Sequence, residues 1–558
     1  MAHKPRKTVV AAGLAAALLG TAVLPSAAAP PAFTLSSADS AAPGHPGGPS
    51  VAFSLAAAPS SADAKAAEAS GPAAPGMPKN WRRAIGEMGI MAAYATWRYW
   101  SAYHDWIEDW QFELTFEDQF RRFLTTEAIR FDSNAYLVNW THVIGGTLYY
   151  QMARTNYLSW TEAALCALVN STVYEYISEW REVVSVNDTF LTTFGGYAVG
   201  EPWFQLSDYF HHHKSFVLNV LAFMNPINEL NQFFDRNRPA SKVYRAPGWT
   251  GMEVSAGWWR SSDTARGAYD AVRVGIDTQI IRTPEYGTPG TFKKTLRDTS
   301  FTELSIDVVL RAHQPEDVYL EEGPFEEVDF FTRTVGLASY SQKIDETGRG
   351  SALSIGVGSA LSYLRKRPTI YDSKDVKAHI DPLPETPTDF RDKFAVAHVA
   401  GPVLDWTRFG RGYKIRALAE AYLDFGMVNA FAFNAYSAGN SIEGMKTTLN
   451  YYGYSYAYGG SVSGRIDADF GPFWVRGLVS ANTWNSWKGL DRFEAELTND
   501  INALDTRTRV LIKAGWRLPS MPVRAYGSFE SIGRWGRLGD VRAQSRESRF
   551  SAGLSYLF

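Results

Sequence analysis

The chain predicts an α+β membrane protein: an N-terminal helical domain followed by an antiparallel transmembrane β-barrel of about 12 to 14 strands. Three observations lead there. The first residues form an export leader, the hydrophobic period switches from helical to two near residue 244, and the last nine residues alternate strictly before ending on Phe558.

Met1 to Lys7 carries Lys4, Arg6 and Lys7, and Thr8 to Leu24 is uncharged and apolar before Pro25-Ser26-Ala27-Ala28-Ala29. A basic start, a short apolar run and small residues at its end predict a secretory signal peptide over residues 1–29. No cysteine follows the run, so a lipoprotein anchor is not expected. Residues 30–77 are Ala, Pro, Ser and Gly with almost no large side chains, a composition that cannot offset its ordering entropy and predicts a disordered linker.

From 78 to 243 the apolar spacing is helical. One helix is expected over Trp81 to Trp110 and a second over Asn139 to Arg154, where Gly145-Gly146 would let a neighbour approach closely. Ser159-Trp160-Thr161-Glu162 has the form of a capping box, opening a helix that continues to Trp180 with Ala164, Leu165, Leu168 and Val169 packing on one side. An apolar segment from Phe216 to Met224 is expected to end at Asn225-Pro226, because the residue before proline leaves the α region.

From 244 to 558 side chains alternate between two faces. Leu304, Ile306, Val308 and Leu310 interleave with Glu303, Ser305 and Asp307, and Ile415, Ala417, Ala419 and Ala421 interleave with Lys414, Arg416, Glu420 and Tyr422. Val462, Ile466 and Phe470 likewise interleave with Ser463, Arg465, Asp467 and Asp469. In a barrel the polar set lines the lumen. Thirteen candidate strands start near Gly251, and an even number is required in this class. Phe470-Gly471-Pro472 and Leu518-Pro519-Ser520 predict tight turns, whereas Trp487 to Leu504 and Trp535 to Gln544 predict longer charged loops; the stretch from Arg365 to Asp392 shows no clear element. In the last strand Phe550, Ala552, Leu554, Tyr556 and Phe558 share one face, suited to lipid, and Ser551, Gly553 and Ser555 the other. Phe550, Leu554, Tyr556 and Phe558 are thus a candidate membrane-assembly signal. They imply outer-membrane lipid and the barrel-assembly machinery as partners, and the cell outer membrane as location.

Composition narrows the remaining classes. A formal charge of -3 over 558 residues gives no reason to expect nucleic acid, and the one cysteine, Cys166, cannot form an intramolecular disulfide. No G-x-S-x-G, H-E-x-x-H or phosphate-loop motif occurs, and no cofactor is expected. His211-His212-His213 could bind a transition metal, but a short histidine run between helices reads first as a solvated loop. His313, His379 and His398 are the barrel histidines, and His398, in an alternating strand, could serve as the base of a serine hydrolase acting on lipid or could simply line the lumen.

The helical part concentrates polar residues. Asn139 and His142 are spaced to share one helix face, Glu175 and Glu179 another, and Asp188 and Glu201 follow. Such a cluster could hold a divalent cation or a general base, making His142, Glu175 and Glu179 candidate catalytic residues of an envelope enzyme; alternatively it fixes helix register, with no metal bound. Asn139-Trp140-Thr141-His142, Arg154-Thr155-Asn156, Tyr174-Glu175-Tyr176 with Glu179, Ser185-Val186-Asn187-Asp188, and Gly195-Gly196 leading to Gly200-Glu201 resemble the signature of a bacterial exported envelope domain of unknown function. The resemblance covers roughly residues 135 to 235 and implies location and architecture, with no activity attached. On this basis the chain is expected to be a pore or structural envelope component whose helical domain plugs the barrel or sits beneath its periplasmic mouth.

Overall fold

The computed structural model describes residues 78–103, 110–131, 136–212, 220–235, 249–264, 267–283, 285–299, 301–310, 325–366, 393–441, 453–490 and 501–558. The expected signal peptide and linker fall outside these residues, as do His313, His379, His213 and most of the stretch from Arg365 to Asp392.

Seven described helices precede the barrel: α1 (Trp81–Arg98), α2 (Phe116–Leu124), α3 (Tyr136–Thr155), α4 (Trp160–Val173), α5 (Val186–Phe190), α6 (Gly196–His212) and α7 (Pro226–Phe234). The capping box at Ser159 forms as expected, with the Ser159 hydroxyl accepting from the Glu162 amide and the Glu162 carboxylate accepting from the Ser159 amide. Asn225 does more than end a segment: its side chain caps α7, with Pro226 at the first helical position. Of the glycine pair, Gly146 makes the close approach. A Cβ there would lie 1.8 Å from the Thr192 carbonyl oxygen, so α3 crosses the wide turn at Leu191–Gly195 backbone to backbone, while Gly145 faces open space.

The face of α4 is reversed from expectation. Ala163, Cys166 and Ala167 are buried in the bundle, and Leu165 and Val169 are 56% and 50% exposed. Small residues let α4 lie close to α3 and leave its larger apolar side chains outside.

The barrel strands are β3 (Trp249–Asp263), β4 (Gly267–Ile281), β5 (Gly290–Leu296), β6 (Phe301–Leu310), β7 (Phe325–Ile344), β8 (Gly350–Lys366), β9 (Lys393–Gly410), β10 (Tyr413–Asn429), β11 (Tyr454–Phe470), β12 (Phe473–Ser486), β13 (Ala503–Arg517), β14 (Val523–Leu538) and β15 (Val541–Leu557); β1 (Ile129–Arg130) and β2 (Val184–Ser185) form a parallel pair in the helical domain. All barrel pairings are antiparallel, and β15 pairs with β3 to close the ring. Thirteen segments occupy twelve wall positions, because β5 and β6 lie end to end along the same edge of β7. Parity is thereby satisfied without losing a strand.

Tight turns join β9 to β10, β11 to β12 and β13 to β14, with Gly412, Gly471 and Ser520 at positive φ. The stretch from Trp535 to Gln544 is not the long loop its charges suggested. Strands β14 and β15 run through it and turn at Gly539-Asp540, with Gly539 at φ 58°. Two of its charges sit on strand faces and one in the turn: Arg537 and Arg542 lie opposite each other on the outward faces of β14 and β15, and Asp540 is in the turn.

The polar faces meet across the lumen. Arg509 on β13 reaches Asp329 on β7 at 3.3 Å, Arg549 on β15 reaches Glu327 on β7 at 2.7 Å, and Lys366 on β8 reaches Glu547 on β15 at 2.5 Å. Glu303 on β6 receives Arg333 from β7 at 2.5 Å and Arg465 from β11, while Arg333 also bonds Glu420 on β10 at 3.1 Å. Most of these strands are not neighbours, so the pairs can only pass through the interior.

Residues of opposite parity face outward, and there the helical domain packs. Trp140, Val143, Leu191, Ala198 and Val199 form one core with Leu304, Ile306, Val328, Phe330, Leu361, Tyr363, Ala395, Ala397, Phe425 and Tyr456. Leu206 and Phe210 pack on Met252 and Ile280 in the same way. The domain therefore lies against the outer wall, which corrects the expectation of a plug: the lumen is already occupied by strand side chains, and the apolar residues able to receive a helix point outward.

Replacing Arg549 with Met should lower the unfolding free energy of the barrel by about 3–5 kcal/mol, since it removes the ion pair of the buried Glu327 and one of the two cations that hold each of Glu530 and Glu547. The readout is the temperature at which the folded band converts on a semi-native gel, with unchanged conversion counting against the lattice. In the helical domain, Gly146→Val should destabilise by about 1–3 kcal/mol or more in urea unfolding, because the Thr192 backbone cannot move aside freely.

Candidate functional site

The polar residues of the helical domain divide into two centres. In the first, His142 projects from α3 toward the wide turn Tyr174–Ser178 and the short helix α5, which supply Glu175 and Asp188. His142 Nε2 lies 3.3 Å from Asp188 Oδ2, and one ligand-capable atom from each of His142, Glu175 and Asp188 lies within 4.8 Å of the others.

The carboxylates are held from behind. Glu175 accepts the Ser185 amide at 3.0 Å, the Ser185 hydroxyl caps the Asp188 amide at 3.1 Å, and Asn187 Nδ2 donates to Asp188 Oδ1 at 2.8 Å. Arg122, fully buried on α2, donates to the carbonyls of Glu182, Tyr176 and Glu179 at 2.7, 3.0 and 2.9 Å and also to that of Glu175. It ties down the irregular turn and brings positive charge beside Glu175 and Glu179. One imidazole and two carboxylates at this spacing could take a hard divalent cation, or hold the imidazole as a proton acceptor oriented by Asp188.

Glu179, expected beside Glu175, is not among the three. It closes the wide turn with its amide bonded to the Tyr174 carbonyl, because widening of the helix breaks the four-residue spacing that would have aligned the glutamates. The side chain of Asn139 lies outside the described residues.

The second centre is Arg154 with Glu201. The guanidinium grips the carboxylate at two points, 2.8 and 3.0 Å, and the same carboxylate accepts Tyr150 at 2.7 Å, Gln205 at 2.8 Å and the hydroxyl of Thr299 from the barrel. Arg154 also stacks over Phe204, 4.7 Å from its centroid. Burial pushes the Glu201 carboxyl up, but the Arg154 charge and the hydrogen bonds from Arg154, Gln205 and Thr299 hold it below the ordinary glutamate value.

His211, read as part of a loop, lies in the last turn of α6 and bonds Glu229 at 2.8 Å, which raises its pKa. In the barrel, His398 faces the lumen from β9. On the closing strand Phe550, Leu554 and Phe558 are exposed and Tyr556 is half-buried, while Ser551 and Ser555 are buried on the lumen side.

The profile of a domain of unknown function (DUF3943) matches residues 128–227, the segment holding both polar centres. No curated protein matches the chain. Among solved structures, the chain is similar to the beta domain of the Bordetella autotransporter BrkA, at 12% identity and TM-score 0.21, covering 55% of this chain and 99% of that one. It is also similar to a loop-deletion mutant of OmpT, an outer membrane protein of Vibrio cholerae, at 9% identity and TM-score 0.21, covering 56% and 99%. A mutant porin of Rh. blastica aligns at 13% identity and TM-score 0.15, covering 56% and 100%. The closed barrel rests on the strand pairing described above, independently of these superpositions.

Glu175→Ala should destabilise the helical domain by on the order of 3 kcal/mol, read by chemical unfolding, because it releases the buried Ser185 amide and removes the foremost of the carboxylates that balance the charge of Arg122. The Glu201 carboxyl, depressed in the folded state, contributes stability that is fully present above the ordinary value of 4.5 and is lost as pH falls through the lower folded value. Acid unfolding of Glu201→Gln should accordingly show a weaker pH dependence in that window than the parent protein, and an identical profile would remove the linkage.

Proposed function

We propose that this chain is an integral outer-membrane protein whose barrel lets no solute pass from one side of the membrane to the other and whose helical domain is fastened to the barrel wall, making it a structural component of the envelope. The observation that carries this reading is the cross-lumen lattice, above all Arg509 with Asp329, which joins diametrically opposed wall positions. A conducting lumen needs charges that water can reach. Here Arg333, Arg534, Arg549, Glu327 and Glu547 are buried, each against an opposite charge from the wall.

Membrane residence is supported by the outward face that the helices leave uncovered. Leu423, Val462, Ile466, Val479, Ile512 and Leu554 are exposed there, an arrangement suited to acyl chains and costly in water. No described helix is long and apolar enough to cross a membrane. Yet the free surface of the helical domain is also apolar, with Ile90 at 74% and Phe223 at 68% exposure, so we read the domain as sharing the lipid-facing surface with the wall. The leader expected at residues 1–29 would deliver the chain, and the aromatic strand ending at Phe558 would present the assembly machinery with its substrate.

Reconstituted into planar bilayers, the full-length protein should give no ohmic channel steps, and steady conductance by the parent chain would overturn the closed-lumen reading. In cells it should fractionate with the outer membrane and show heat-modifiable migration; recovery as a soluble periplasmic protein would overturn the location. Deleting Phe558 should slow the appearance of the folded form in a pulse-chase experiment.

A further inference from the structure

The lumen holds one constellation that the ion lattice does not need. Ser362 on β8, His398 on β9 and Asp424 on β10 project inward from three adjacent strands. The Ser362 Oγ lies 2.8 Å from His398 Nε2, and His398 Nδ1 lies 2.6 Å from Asp424 Oδ1. The other carboxylate oxygen of Asp424 accepts Trp484 Nε1 at 2.9 Å and the hydroxyl of Ser461, which in turn accepts Asn482 Nδ2 at 2.5 Å.

A hydroxyl, an imidazole and a carboxylate linked in that order are the parts of an activated serine nucleophile, recognised by geometry and independent of fold or chain order. The carboxylate fixes the imidazole with Nδ1 protonated, which leaves Nε2 free to accept the serine proton. Two further features separate this trio from an ordinary polar contact. The register of β9 shifts against both its neighbours directly after His398, where its pairings jump from Ala360 to Gly358 on β8 and from Asp424 to Leu423 on β10, and such a bulge re-aims side chains next to reactive groups. A buried apolar cluster of Leu364, Phe394, Val396, Val428 and Trp484 packs beside the trio on the same inward face. His398 and Asp424 are buried, and Ser362 is only half-buried.

We propose that Ser362, His398 and Asp424 form a nucleophilic triad that cleaves a carboxylic ester, with the half-buried Ser362 as the member that meets the substrate. In the first half, Ser362 Oγ bonds to the ester carbonyl carbon as His398 Nε2 takes its proton; the carbon–oxygen bond to the alcohol then breaks, and His398 returns that proton to the departing alcohol. In the second, water attacks the acyl-serine with His398 as base, the serine ester breaks, Ser362 regains its proton and the carboxylic acid leaves. Asp424 stays ionised throughout and holds the imidazole in place.

The test uses the full-length barrel folded in detergent micelles and an alkyl fluorophosphonate, which bonds only to an activated serine. Peptide mapping should find the adduct on Ser362. Ser362→Ala should abolish it, and His398→Gln and Asp424→Asn should each lower the labelling rate by on the order of a thousandfold or more. Heat-modifiable migration reports folding of each variant, and hydrolysis of p-nitrophenyl octanoate should fall in parallel. Folded parent protein that gives no adduct at Ser362 overturns the proposal, as does labelling that His398→Gln leaves unchanged. An ester-cleaving activity that persists in Ser362→Ala places the chemistry elsewhere and overturns it as well.

Discussion

A twelve-position wall encloses more space than its own apolar side chains could fill, and the backbone of such a wall is satisfied only if the ring stays closed. Long arginine and lysine side chains solve the filling problem, since each spans several ångströms and ends in a group that carboxylates on the far wall can hold. Desolvating so many charges is costly, and the cost is tolerable only when nearly every ion has a partner. Glu303, held by Arg333 and Arg465, and Glu547, held by Arg549 and Lys366, show the pattern. The outward parity of every strand is fixed in consequence, because sliding one strand by a residue would turn its charges into lipid.

That parity decides where the helices go. With the charged face committed to the lumen, Leu304, Ile306, Phe330, Tyr363 and Phe425 must point out, and the helical domain covers them with Trp140, Val143 and Val199. Gly336, the residue at the register shift between Val335 and Leu337, lies against Trp160 and Tyr197; a Cβ there would come within 2.8 Å of the Tyr197 hydroxyl oxygen. The shift and the missing side chain together make room for the base of α4. Wall and domain thus form one core in which neither side is buried without the other.

Much of this was legible in the residues. Alternation along β6, β10, β11 and β15 needed only a period of two, and the capping box at Ser159 announced α4 from four letters. His142 and Glu175 are ionisable groups in an otherwise apolar helical segment, where unpaired charge is costly, and they lie together with Asp188. Other features were hidden for physical reasons. Wide turns at Tyr174–Ser178 and Leu191–Gly195 leave no periodic mark, so regular helical spacing aligns Glu179 with Glu175 although the chain rotates between them. The charges Arg537, Asp540 and Arg542 resemble a solvated loop because a charged strand end and a loop have the same composition. Ser362 carried no signal at all: it meets His398 through strand register, which depends on a bulge that one sequence does not reveal.

The interruption between β5 and β6 has a mechanical consequence. Thr299 lies in that gap, where its hydroxyl reaches Glu201, its carbonyl accepts Gln205 at 2.8 Å, and the neighbouring Arg297 carbonyl accepts Trp160 at 2.8 Å. A continuous strand would have spent those groups on its neighbours in the sheet. Left open, they clamp the helical bundle through a buried carboxylate that Arg154 also grips, so tilting the bundle away from the wall would expose a charge pair and undo strand-edge bonds at once. The two parts therefore have no hinge between them at this point, and a force applied to the helices is delivered directly to the barrel wall as shear along β6 and β7.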